Sequence, residues 1–162
     1  LFPPDQVANL YIGPLDFTPA GQAISLVDFH HPDFERFPLF KQALANAVIV
    51  DLEPGDALFI PSLWWHHVEA LDAFNVLVNY WWRSVPAYMG KPLDALIHAL
   101  LSIKALPAEQ KAQWRILFDH YVFEENPTAF SHIPEASLGI LSDLDEATAV
   151  QLSKLLRSKL KS

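Results

Sequence analysis

The run Glu53-Pro54-Gly55-Asp56-Ala57-Leu58-Phe59-Ile60-Pro61-Ser62-Leu63-Trp64-Trp65-His66-His67-Val68 constrains the fold of this chain more than any other stretch. The residues before it, Val48-Ile49-Val50-Asp51-Leu52, are largely β-branched and strand-like. Pro54-Gly55 fits the central positions of a type II turn, because proline presets one φ and glycine supplies the positive one. Ala57–Ile60 then returns as a strand, and Pro61 ends it. The chain resumes behind two tryptophans with an imidazole, His66, at the start of a further strand candidate, His66–Leu71. Reversal within two residues followed by a displayed histidine points to a β architecture with a site at its mouth.

The flanking segments extend this reading. Ala23–Phe29 is a short apolar strand candidate, His30–Pro38 a loop with two prolines, and Phe37–Asn46 a short helix. Asn75–Arg83 reads as a two-faced strand: Asn75, Leu77, Asn79, Trp81 and Arg83 on one side, and Phe74, Val76, Val78, Tyr80 and Trp82 on the other. Such a strand suits the wall of a barrel with a polar interior. Beyond Pro86 and Pro92 the period changes to that of helices. One stripe is Leu93, Leu96, Ile97, Leu100 and Leu101; a second is Trp114, Leu117, Phe118, Tyr121 and Val122, with Pro107 in its first turn. A third, Leu152, Leu155, Leu156 and Leu160, belongs to a helix starting near Ser142-Asp143. The expected organisation is a barrel part over 1–86 and a helical region over 87–162, whose amphipathic helices need a covering surface: they either pack on the outside of the barrel or meet their copies in a dimer.

Composition removes several functional classes. The 162 residues are about half apolar and carry a net charge of −8, which excludes disorder and gives no cationic cluster to neutralise nucleic-acid phosphate. The basic run Lys154–Lys161 is explained by a helix C-terminus. With no cysteine, the segment has no disulfide, thiol nucleophile or thiolate metal site. No apolar run reaches membrane-spanning length, and no signal peptide is visible, so no membrane partner and a cytoplasmic location are expected. A start without Met, in mid-motif, reads as a segment of a longer protein. There is no Gly-rich phosphate loop, nucleophile elbow or His-Glu-x-x-His.

His66 is the candidate metal ligand. Imidazole suits ferrous iron, and a facial triad of two histidines and one carboxylate leaves three coordination positions open. His67, its neighbour, must point to the opposite face of a strand and reads as a hydrogen-bonded wall residue. The triad's other two members are expected as His-x-Asp or His-x-Glu on an earlier strand. His31-Pro32-Asp33 matches literally, but proline is unsuited to an inner strand and the surroundings read as loop. His67-Val68-Glu69 also matches, but it shares its strand with His66 and would face away. The expectation is therefore that the two missing ligands lie upstream of Leu1. Asn79 and Trp81, two apart on the polar face, can line a cosubstrate pocket, the amide bonding a carboxylate and the indole forming an apolar wall. An ordinary barrel interior explains them as well. His98, His120 and His132 have no matching carboxylates and read as surface or helix-interface residues.

Leu1-Phe2-Pro3-Pro4-Asp5-Gln6, Val27-Asp28-Phe29, Pro32-Asp33-Phe34-Glu35-Arg36-Phe37-Pro38, Pro54-Gly55-Asp56, Ile60-Pro61, Trp64-Trp65-His66-His67 and Val78-Asn79-Tyr80-Trp81 follow in one order. Over residues 1 to about 83 this order resembles the JmjC, or cupin-like, Fe(II)- and 2-oxoglutarate-dependent oxygenases, in the branch of the asparaginyl hydroxylase of hypoxia-inducible factor. The resemblance implies a mainly β fold with an α tail: part of a double-stranded β-helix (jelly-roll) barrel, then dimerisation helices. It implies His66 as the distal iron ligand and Asn79 and Trp81 at the 2-oxoglutarate site. The family's His-x-Asp and its 2-oxoglutarate-binding basic residue fall just before Leu-Phe-Pro-Pro. Where the asparaginyl hydroxylase carries polar residues that hold its substrate amide, this chain has approximately Ala23-Ile24, so the same grip on the same substrate is not implied.

The reading that follows is the C-terminal part of an Fe(II)/2-oxoglutarate hydroxylase, forming a homodimer and acting on a protein or small molecule. A non-catalytic cupin-like binding or dimerisation module is the alternative, and a metal-dependent cupin enzyme without 2-oxoglutarate a third.

Overall fold

The structure, a computed structural model, describes residues 1–16, 22–126 and 128–160. Lys161, the end of the basic run, lies outside the described residues. The chain divides into two compact units, Leu1–Val78 and Asn79–Ser162.

The first unit is built around aromatic rings. A 3-10 turn, Pro4–Ala8, opens with proline at its start and is followed by Leu10, whose N–H donates to the Gln6 carbonyl. One short helix, α1 (Phe40–Ala45), places Phe40 and Ala43 inside. Phe2, Leu10, Val27, Phe37, Phe40 and Ala43 form the buried core, with Phe29, Phe34 and Trp65 packed against it. Phe40 is the hub, its ring 6.4 Å from Phe2, 5.5 Å from Phe29 and 6.5 Å from Phe34. The single buried polar side chain among the described residues, Gln6, has both ends bonded: its amide donates to Asp5 Oδ1 and its carbonyl accepts from Asn9 Nδ2. Ser25 ties the core segments together, its hydroxyl donating to the Leu10 carbonyl at 2.6 Å and accepting from the Val27 N–H.

The expected mainly β fold, with part of a double-stranded β-helix barrel, is not what the structure shows. Strand pairing among the described residues is confined to two isolated antiparallel bridges, Phe2 with Trp65 and Ile12 with Ser25. Ala23–Phe29 contributes only Ser25 to a bridge, and Val48–Leu52, Ala57–Ile60, His66–Leu71 and Asn75–Arg83 carry no regular secondary structure. A strand exists only as part of a ladder, and among the described residues no ladder longer than a single bridge forms; in these segments the Val48 backbone pairs with Leu1 without extending into one. Neither side of the two-faced strand becomes an inner one: the Phe74–Trp82 set and the Asn75–Arg83 set are both exposed. Phe74 and Trp81 each keep 84% of their surface in solvent.

Local signals did form what they specify. The Pro54-Gly55 turn is present, with Gly55 at φ 100° and the Asp56 N–H donating to the Glu53 carbonyl at 3.0 Å. The Glu53 N–H in turn donates to Asp56 Oδ2, closing the turn from both sides.

In the second unit the three helical stripes become α2 (Pro92–Ser102), α3 (Ala108–Phe118) and α4 (Glu146–Leu160). Pro92 begins α2, Pro107 precedes α3, and Asp145 caps α4 by accepting the Thr148 N–H at 2.7 Å. The last helix thus starts three to four residues later than the Ser142-Asp143 signal suggested, because Asp145 is the carboxylate that reaches the free N–H groups. A π-helical turn, Asp119–Phe123, continues α3, and Tyr121 stacks on Phe130 at 5.8 Å. The Tyr88 hydroxyl donates to the Leu144 carbonyl at 2.9 Å and joins the two ends of the unit. No helix among the described residues is long and apolar enough to cross a membrane.

Candidate metal centre

Two tethers position the histidine pair. Phe2 and Trp65 exchange both backbone hydrogen bonds, at 2.8 and 3.0 Å, and the Leu1 and Val48 backbones pair alongside. Just upstream, Leu63 takes a left-handed backbone conformation, φ 65°, within a turn closed by the Trp64 N–H and the Pro61 carbonyl. A branched-chain residue rarely adopts that conformation, so this corner holds backbone strain immediately before the tryptophans.

His66 is exposed, with Nδ1 3.4 Å from the Trp64 carbonyl, the long limit of a hydrogen bond. The tautomer protonated at Nδ1 leaves Nε2 as the donor atom. His66 belongs to no group of three metal-donor side chains among the described residues. Asn79 and Trp81 lie in the second unit and are both exposed.

The histidine beside it is the one the structure brings into a cluster. The His67 ring stacks on Phe29 at 5.1 Å, and its Nε2 stands 3.9 Å from Glu69 Oε1. The same oxygen lies 2.6 Å from His30 Nε2. The donor atoms of His30, His67 and Glu69 all lie within 4.8 Å of one another. His67-Val68-Glu69 was visible in the sequence as a His-x-Glu. Without strand geometry the alternation argument against it loses its basis. Its third member, His30, carries no sequence signal linking it to a segment so far along the chain.

His31-Pro32-Asp33 does not form a donor pair. His31 Nδ1 is 3.9 Å from Asp28 Oδ2, and Asp33 Oδ1 accepts the Glu35 and Arg36 N–H groups. Asp28 does the same for the His30 and His31 N–H groups, and these bonds, the His30 bond foremost, hold its carboxyl below the ordinary 3.8. His30–Pro38 is thus a loop of two Asx turns, as its composition suggested. His98, His120 and His132 are exposed in the second unit, His120 lying edge-on to Tyr121 and Phe130.

Residues 1–88 match the family described as cupin-like domain. The chain belongs to the cupin-like domain family. The family resemblance drawn from the ordered motifs is thereby borne out. Curated relatives of this cupin-like chain include human HSPB1-associated protein 1, 33% identical over 101 residues, which are 62% of this chain and 20% of that protein. The tRNA wybutosine-synthesizing protein 5 of Gallus gallus is 38% identical over 87 residues, 54% of this chain and 24% of that protein. Lysine-specific demethylase 8 of Xenopus tropicalis is 47% identical over 58 residues, 36% of this chain and 12% of that protein. The cupin-like chain therefore spans a quarter or less of the length of these curated relatives. No solved structure matches it at a significant level.

Proposed function

We propose that this chain is the C-terminal part of an Fe(II)/2-oxoglutarate-dependent hydroxylase. In this reading His66 is an iron ligand and Asn79 and Trp81 line the 2-oxoglutarate site. The observation that carries it is the cupin-like match over residues 1–88, which contains the Trp64-Trp65-His66-His67 motif and both cosubstrate-site candidates. One relative is named as a demethylase, and a JmjC-type oxygenase assignment agrees with that name.

The residues present fit one third of such a centre. His66 offers an imidazole Nε2 next to a backbone pinned by the Phe2–Trp65 bridge, and a His-x-Asp pair is what this reading requires beside it. When bound, iron and 2-oxoglutarate supply the oxidising chemistry of C–H hydroxylation. His66 supplies a neutral nitrogen donor and the orientation that its Trp64 carbonyl contact gives the ring. In the same reading the Asn79 amide offers a hydrogen bond to a carboxylate, and the Trp81 indole an apolar wall.

His66→Ala in the complete protein is expected to abolish iron binding and 2-oxoglutarate consumption. Consumption that persists in that variant would overturn the assignment. A non-catalytic cupin-like module is the second reading, favoured by the absence of two further donors beside His66 among the described residues; it predicts no 2-oxoglutarate consumption in the unaltered complete protein.

A further inference from the structure

We propose that His30, His67 and Glu69 form a second divalent-cation site, separate from His66, that takes a borderline transition metal such as Zn2+. Two imidazoles and a carboxylate are the donor set that such ions prefer to the oxygen-only cages of Ca2+ and Mg2+. In a tetrahedral site with metal–ligand bonds of about 2.0–2.1 Å, neighbouring donor atoms stand about 3.3 Å apart. The observed separations bracket that value. His30 Nε2 to Glu69 Oε1 is 2.6 Å, His67 Nε2 to the same oxygen 3.9 Å, and no separation within the group exceeds 4.8 Å. Closing the set around an ion means opening the first distance slightly and drawing His67 in.

The cluster is exposed but is tied to the core through Phe29. Phe29, adjacent to His30, is edge-on to the fully buried Phe40 at 5.5 Å, and its ring carries the stacked His67 imidazole. Asp28 fixes the backbone at His30 by accepting its N–H at 2.9 Å. The His67 ring is therefore held on the aromatic block, and the His30 backbone by Asp28, before any ion arrives. The side chains of His30, His67 and Glu69 are 62%, 47% and 45% exposed, so water completes the coordination and the ion exchanges with solvent. His66 is not among the donors, so the site does not depend on the iron assignment.

The test is Zn2+ affinity of the complete protein by competition with a chromophoric chelator, together with the visible absorption of the Co2+-loaded form, whose band positions report nitrogen and oxygen donors. The unaltered protein is compared with His30→Ala, His67→Ala, the near-isosteric Glu69→Gln, and His66→Ala, with far-UV circular dichroism confirming that each folds. The expected result is one Zn2+ equivalent that persists in His66→Ala and weakens at least about tenfold in each of the other three, the scale on which even outer-shell changes act. Unchanged affinity in Glu69→Gln and His30→Ala overturns the site. Loss confined to His66→Ala also overturns it, and moves the Zn2+ to the proposed iron centre. Failure of the hydroxylase reading is read separately, as 2-oxoglutarate consumption that survives His66→Ala whatever Zn2+ does.

Discussion

Phe40→Ala tests whether the aromatic block organises the first unit. Phe40 is fully buried, and its ring meets Phe2, Phe29 and Phe34 within 6.5 Å. Burying a phenylalanine side chain stabilises by about 1.5–3 kcal/mol. An edge-on aromatic pair such as Phe29–Phe40 adds about 0.5–1.5 kcal/mol. With the cavity left behind, a total loss of about 3–5 kcal/mol is expected. A single domain has only about 5–15 kcal/mol of stability, so this change removes a large fraction of it. The control is Phe74→Ala, at a side chain that is 84% exposed; its effect should stay within about 0.5 kcal/mol. Urea denaturation of the complete protein measures both, and hydrogen–deuterium exchange over residues 1–47 localises the effect. Equal unfolding midpoints for the two variants would refute the hub role of Phe40. A loss of protection over 1–47 in Phe40→Ala alone would support it. The Phe29–His67 stack makes a further consequence: ring order at Phe29 should fall with Phe40, and Zn2+ affinity at His67 with it.

Two other outcomes follow from local geometry. At Gly55, φ is 100° and a Cβ would meet no atom within 4 Å, so Gly55→Ala acts through backbone strain alone; a loss of about 1–2 kcal/mol is expected, and an unchanged urea midpoint would contradict the turn assignment. Asp145 has its carboxyl pKa lowered from 3.8, chiefly by the Thr148 backbone N–H. Because the folded-state pKa lies below the unfolded one, the capping contribution is present above pH 3.8 and is lost as pH falls through the lower folded value. Asp145→Asn keeps an acceptor but does not titrate, so helicity measured by circular dichroism should lose that part of its acid dependence. An identical acid transition in both proteins would exclude the cap.

The helices and the turn were legible because the information that makes them is local. A helix satisfies its backbone within four residues, so the Leu93–Leu101 and Leu152–Leu160 stripes are sufficient to locate α2 and α4. Pro54-Gly55 likewise specifies its own φ values. The strand readings failed for the converse reason. Alternation in Asn75–Arg83 describes what a strand would do with its side chains, not whether a neighbouring backbone is there to pair with it. At the site, the motif context singles out His66, whereas the alternation that would turn His67-Val68-Glu69 away holds only for a paired strand, which this segment is not.

The family was readable from motifs ordered over residues 1 to about 83, and the helices, turn and His30–Pro38 loop from local pattern, each being closed by residues at most a few positions apart. That Phe40 gathers Phe2, Phe29 and Phe34, and that His30 meets Glu69 and His67 across a long stretch of chain, emerges from packing alone. Those contacts come from burying aromatic rings together. That attraction is non-directional and independent of sequence separation, so no local pattern announces which distant residues it will bring into reach.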